Sequence, residues 1–226
     1  MMFGDALTEQ EAFGLESLDY CVRKHLPRDF PFWEARAFAS DNEEDMYTGE
    51  HGGNYCTYLQ GLLQIYLPGV AASIQNAFQQ AYDMGDLAND PDYAQYPPVT
   101  LGVRTAEFLQ YKRTGKLGLH TDTGSVYSIS IAMSHENEYR GGYFQLYSGS
   151  ALFKAPRRSA IVFFSEKDHG VTRVTAGERK VFVIELWDDE DVPVGVQRPS
   201  QEDFEHYKRG RGDRYFPDQD SEGEEF

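Results

Sequence analysis

Glu107-Phe108-Leu109-Gln110-Tyr111, His120-Thr121-Asp122 and Ser125-Val126-Tyr127-Ser128-Ile129-Ser130-Ile131-Ala132-Met133 follow one another closely. The outer two segments are rich in alternating, β-branched and aromatic residues and read as strands. The His-x-Asp between them is therefore expected at a strand end beside a turn. Successive side chains of a strand point to opposite faces, so positions 120 and 122 are expected to look the same way and to bind one metal ion as neighbours. By itself the motif is weak. With six His in the chain, a shuffled sequence would hold one His-x-Asp roughly 0.4 of the time, so the surroundings must carry the reading.

Working outward, His169 follows the apolar run Ala160-Ile161-Val162-Phe163-Phe164. If its strand packs opposite the first, it supplies a second imidazole, giving two imidazoles and a carboxylate on one face of the ion. That arrangement suits non-haem Fe(II) and leaves three positions open, two for a chelating 2-oxo acid and one for dioxygen. Ten residues on, Arg179 opens the run Lys180-Val181-Phe182-Val183-Ile184-Glu185-Leu186-Trp187 after Ala176-Gly177-Glu178, which reads as a hairpin turn. On a strand next to the metal-bearing one, its guanidinium can clamp the far carboxylate of 2-oxoglutarate bidentately, where a lysine would act as a point charge.

These residues resemble the iron(II)/2-oxoglutarate-dependent dioxygenases, in the prolyl 4-hydroxylase-like branch. The matching stretches are Glu107 to Lys112, His120-Thr121-Asp122, Tyr139-Arg140-Gly141-Gly142-Tyr143-Phe144, Ser159 to Phe164, and His169-Gly170-Val171-Thr172-Arg173-Val174 through Arg179. They lie within residues 104–187, less than half of the chain. The resemblance implies His120, Asp122 and His169 as iron ligands, Arg179 as the salt-bridge partner of 2-oxoglutarate, and Tyr111 as a hydroxyl donor to the same carboxylate. It implies a mainly β fold with supporting helices, a double-stranded β-helix (jelly-roll) barrel with the metal in its mouth. It further implies Fe(II), 2-oxoglutarate and O2 as the reacting set, with ascorbate as an optional reductant and succinate and carbon dioxide as products. Asp122 fills the third ligand position and so favours hydroxylation over halogenation. Arg173, Ser159 and Glu185 depart from the Pro, Gly and Trp common in the family. Tyr127, Tyr143, Gln145, Arg173 and Glu185 are expected at the wall of the substrate pocket, Glu185 because it shares a strand face with Arg179. Residues 51 and 135, both His in polar loops, are expected to be solvated.

Composition narrows the function classes. A net charge of −16 repels phosphate backbones, which argues against a nucleic-acid substrate. No segment approaches the 18 consecutive apolar residues of a membrane span, and the start lacks the basic and apolar regions of a signal peptide. The cytoplasm, with the nucleus as second choice, is the expected location. Cys21 and Cys56 are far apart without Cys-x-x-Cys spacing and read as reduced thiols.

Three regions are expected within one domain: helical and loop support over 1–100, a catalytic barrel over 101–190, and an acidic, partly disordered tail over 191–226. Thr8-Glu9-Gln10-Glu11 has capping-box form, and residues 70–82 read as a helix after Pro68-Gly69. Residues 41–54 read as a polar loop, with a lid over the active site as the alternative. Protein or peptide side chains, prolyl by analogy, are the leading substrates. A free amino acid or other small metabolite is the second reading, and a cupin-like binding module without turnover the third; the oligomeric state is left open.

Overall fold

Helix α1 (Glu9–His25) begins where its sequence provides a cap. The Thr8 hydroxyl accepts the Glu11 amide hydrogen at 3.2 Å, and the Glu11 carboxylate accepts the Thr8 amide hydrogen at 2.7 Å. Together they satisfy two helix-end donors. The computed structural model of the chain describes residues 1–25, 33–35, 54–59, 62–147 and 152–188. Of the polar loop or lid expected over 41–54, only Asn54 is described, at the start of a strand; the rest of it, His51 and the acidic tail over 191–226 lie outside the described residues.

Two further helices follow, α2 (Leu62–Tyr66) and α3 (Pro68–Met84). Proline at the start of α3 costs nothing there, because the first turn has no intrahelical acceptor for its missing N–H. Val70, Ile74, Ala77, Phe78, Ala81 and Tyr82 form one buried stripe along α3, the spacing of a helix that presents a single apolar face. Ser73 on α3 donates to Glu11 on α1 at 2.6 Å, joining the two helices.

The strands form two main antiparallel sheets. The larger has seven, β1 (Met2–Phe3), β2 (Trp33–Ala35), β3 (Asn54–Tyr58), β4 (Gly102–Tyr111), β6 (Tyr127–Ala132), β10 (Ala160–Phe164) and β13 (Arg179–Trp187), in the order β1-β10-β6-β13-β4-β3-β2. The smaller runs β5 (Leu117–His120), β11 (His169–Val171), β8 (Phe144–Leu146), β9 (Leu152–Phe153). A separate ribbon pairs β12 (Val174–Gly177) with β7 (Tyr139–Gly141). The first 100 residues, expected as helical and loop support, thus also supply three strands to the large sheet. Among the described residues, no helix is long and apolar enough to cross a membrane.

Alternation divides the large sheet into two faces. Phe182, Ile184 and Leu186 of β13, Ala106 and Phe108 of β4, and Ile129 and Ile131 of β6 join the helices in one buried cluster. Full burial of each large apolar side chain there is worth about 1.5–3 kcal/mol. A polar pin secures the same interface: Asp19 of α1, 2% exposed, accepts hydrogen bonds from Thr57, Gln110 and Arg23. The opposite face of β4 and β13 looks toward the small sheet and is left for the site.

One expected connection differs. Gly177 takes the left-handed conformation (φ +74°), as a tight turn requires, but the strands on either side of it do not pair. β12 pairs with β7, whereas β13 pairs with β4 and β6. The expected hairpin is a corner where the chain changes sheet, and Arg179 therefore stands in the sheet facing the histidines rather than beside them.

Candidate metal centre and cosubstrate cavity

His120 and His169 are direct partners across β5 and β11. The strands can approach this closely because residue 170 is glycine: a Cβ there would lie 2.7 Å from the Leu117 carbonyl oxygen and 2.8 Å from that of Gly118. Asp122 is placed differently from the strand-alternation expectation. β5 ends at His120, and Asp122 sits in the following turn, its amide hydrogen donated to Ser165 O at 2.9 Å and its carbonyl accepting from Ser125. The turn, not the pleat, brings the carboxylate round to the imidazoles.

His120 Nε2 and His169 Nε2 each lie 3.5 Å from a different oxygen of Asp122, and one ligand atom from each of the three falls within 4.8 Å of the others. Both Nδ1 atoms face backbone carbonyls, Gly118 O at 2.9 Å and Lys167 O at 3.0 Å. A carbonyl only accepts, so each Nδ1 carries the hydrogen and each Nε2 keeps its lone pair toward the cluster, the orientation of a metal-ligating histidine. Ser128, itself bonded to Ser165 at 2.8 Å, donates to Asp122 Oδ2 and fixes the carboxylate.

The charges agree with this geometry. Burial would raise the Asp122 carboxyl, but the adjoining His120 and His169 imidazoles in their protonated form and the hydrogen bond from Ser128 hold it below its ordinary value. Burial pulls His169 down, whereas for His120 it is outweighed by the bond to Asp122 and the Gly118 carbonyl, which leave that imidazole raised. The donor set of two imidazole nitrogens and one carboxylate fits a divalent transition metal with open positions.

The cluster opens into a cavity of about 450 Å3. Val181, Val183 and Glu185 of β13 line it from the large sheet, with Arg179 at the end of the row. Arg179 is 6% exposed, and its Nη1 is buried without a hydrogen-bond partner among the described residues. Such a donor calls for an acceptor, and an acidic ligand group in the cavity would supply one. Its guanidinium lies 5.2 Å from the Tyr111 ring centroid and close enough to the Tyr139 hydroxyl for its charge to oppose the upward push of burial there. Tyr111 is fully buried, which pushes its hydroxyl up despite the nearby Arg179 charge.

His120, Asp122, His169, Arg179, Tyr111 and Glu185 all line this one cavity. The other expected wall residues do not. Tyr127 points into the helix-facing core, near Tyr93 and Phe164, because odd positions of β6 face outward. In β8 it is Phe144 that lines the cavity; Tyr143 and Gln145 have the opposite parity, with Tyr143 exposed and Gln145 bonded to Tyr147 O. Arg173 is exposed between β11 and β12. His135 is exposed, as expected for a polar loop. Sequence reasoning missed Tyr139, Ser128 and Phe163. Tyr139 and Phe163 stand within the stretches that carried the resemblance, and the alternating serines of β6 were the available signal for Ser128.

No family model matches the chain, and no curated protein matches it. Solved structures do. A 2OG-Fe(II) oxygenase family oxidoreductase from Burkholderia pseudomallei superposes with a TM-score of 0.54 at 17% identity, over 83% of this chain and 84% of that one. The viral collagen prolyl hydroxylase of Paramecium Bursaria Chlorella virus-1, in its 2OG complex, gives 0.52 at 13% identity, over 82% and 93%. The non-heme alpha ketoglutarate dependent epimerase SnoN from nogalamycin biosynthesis gives 0.56 at 12% identity, over 88% and 84%. The shared fold is the double-stranded β-helix.

Proposed function

We propose that this protein is an Fe(II)- and 2-oxoglutarate-dependent dioxygenase that hydroxylates a C–H bond. The observation that carries the reading is the His120–Asp122–His169 cluster facing, across one cavity, the buried Nη1 of Arg179, which has no partner among the described residues. In this reading the three residues hold the iron, Arg179 takes the far carboxylate of 2-oxoglutarate, and Tyr111 and Tyr139 fix the guanidinium from its face and edge. Iron, when bound, supplies the activation of dioxygen; substrate R–H, 2-oxoglutarate and dioxygen become R–OH, succinate and carbon dioxide. The chain's own part is positioning. Gly118 and Lys167 carbonyls set the imidazole tautomers, Ser128 orients the carboxylate, and Phe144, Phe163, Val171 and Val181 keep the cavity wall apolar and water out.

The fold leaves outcome and substrate open, since one neighbour is named a prolyl hydroxylase and another an epimerase. A peptidyl prolyl side chain rests on that analogy. A free amino acid or small metabolite is favoured by a specific observation, the Arg104–Glu185 charged pair within the cavity. A metal-binding module without turnover would share the geometry, and only turnover separates it from an enzyme.

Adding Fe(II) and 2-oxoglutarate without oxygen should give a visible metal-to-ligand charge-transfer band. His120→Ala should lose the band, and Arg179→Ala should need more 2-oxoglutarate to reach it. Admitting oxygen should then release succinate. No band in the wild-type protein would sink the proposal, and a band without succinate under any substrate would leave a binding module.

A further inference from the structure

The cavity has a second charged end that iron and 2-oxoglutarate leave unused. Between Thr105↔Glu185 and Val103↔Leu186 the pairing of β4 with β13 slips by one residue, and Arg104 is the extra one. A bulge of this kind re-aims a side chain, and Arg104 reaches the cavity wall. Its Nη1 donates to Ser125 Oγ at 2.9 Å and to Glu185 Oε2 at 3.1 Å, while Ser125 Oγ donates to the same Oε2 at 2.7 Å. The Trp187 ring lies 5.8 Å from the guanidinium carbon. Gly124, two residues past Asp122, takes φ +88°, and a Cβ there would touch the guanidinium at 3.7–3.8 Å. The pair is thus anchored beside the turn that carries Asp122.

What the anchoring leaves open is chemically specific. Arg104 Nε and Nη2 make no hydrogen bond among the described residues, and Glu185 Oε1 is used by neither Arg104 nor Ser125. A cation with two open donors stands beside a carboxylate that can accept more than it receives from Arg104, Ser125 and the neighbouring Thr105. A simple carboxylate would meet Arg104 but be repelled by Glu185, and a simple amine the reverse. A residue inside a peptide carries neither charge. An ammonium and a carboxylate on one carbon satisfy both groups, with the carboxylate on the guanidinium fork. In a chain of net charge −16, such a neutral zwitterion also avoids the long-range repulsion an anion would meet. A cavity of about 450 Å3 lies in the usual range of small-molecule sites, about 300–1,000 Å3.

We infer that Arg104 and Glu185 form the subsite for the carboxylate and ammonium of a free α-amino acid, whose side chain then points toward the His120–Asp122–His169 cluster. This rests on the dioxygenase reading above. It makes Arg104 and Glu185 specificity residues and Ser125 a positioning residue.

The test uses the full chain with Fe(II) and 2-oxoglutarate under anaerobic conditions. The twenty protein amino acids are added singly, each beside its N-acetyl and its C-amide form, and binding is read from the shift of the charge-transfer band and from the unfolding temperature. At least one free amino acid should perturb both and, once oxygen is admitted, raise succinate formation tenfold or more. Blocking either end should abolish the effect, and Arg104→Gln or Glu185→Gln should weaken binding of the free form at least tenfold. Equal response to free and blocked forms, response only to blocked prolyl peptides, or no response in a protein that shows the band would overturn the inference while leaving the dioxygenase reading standing. Absence of the band itself would overturn that reading first. Because the blocked ligands need no variant, the result holds even if either substitution unfolds the protein.

Discussion

The two faces of β13 carry opposite burdens within nine residues. Phe182, Ile184 and Leu186 are sealed against helices α1 and α3 and the outer faces of β4 and β6, each at most 2% exposed. Arg179, Val181, Val183 and Glu185, one residue out of step, line a cavity with charged ends. The difference teaches that stability and chemistry are separated here by strand parity, not by region. The helices stiffen the sheet from behind, so the inner face can hold a buried guanidinium nitrogen without a partner among the described residues, and a carboxylate, without losing its shape.

Substitutions on the two faces should therefore fail in different ways. The largest effect is expected at the inner end: Asp122→Ala should abolish metal binding and turnover while circular dichroism still shows a folded β-rich protein. If that variant retained metal affinity measured by calorimetry, the three-residue centre would be wrong. On the outer face, Phe182→Ala should cost about 3–5 kcal/mol in denaturant unfolding, the usual result of emptying a core aromatic site, yet the folded fraction should bind metal normally. Its neighbour Val183→Ala, facing the cavity, should cost less than half as much. Equal losses at 182 and 183 would erase the contrast between the faces.

A smaller, pH-dependent effect follows from the histidines. Metal needs both Nε2 atoms unprotonated, and His120 is raised by its bond to Asp122 while His169 is lowered by burial. Affinity should accordingly fall as pH drops through the imidazole range, with the first proton taken up at His120, and metal binding near neutrality should release protons. Affinity flat between about pH 5 and 8 would exclude imidazole ligation. The smallest effect is expected for Tyr127→Phe. It removes a buried hydroxyl that has no hydrogen-bond partner among the described residues, so stability should change by no more than about 1 kcal/mol and turnover not at all. A loss of turnover would return Tyr127 to the substrate wall.

How much of this could be read from the chain depended on whether a feature is local. The capping box at Thr8, the helix stripe from Val70 to Tyr82 and the strands around His120 are set by spacing within a few residues, and each stands as read. The gathering of His120, Asp122 and His169 in one cluster was legible because metal-binding chemistry restricts the residue types. The wall of the cavity was not. Tyr143 and Gln145 were placed on the wrong face because alternation tells which residues share a face but not which face is buried, and a one-residue offset inverts the answer. Tyr127 failed for the same reason. The expected hairpin at Gly177 failed because a turn residue fixes the direction of the chain but not the partner of the strand that follows.

By itself, the sequence determined the residue types able to bind metal and an acidic ligand, the helices with their buried faces, and the runs that must be strands. The tertiary structure alone decided that β5 and β11 pair His120 with His169, that Arg179 faces them from the other sheet, and that the bulge at Arg104 turns a second cation into the cavity beside Glu185. The physical reason is range. Propensity, capping and periodicity act over a few bonds, whereas pairing and register are settled by which distant surfaces bury each other best.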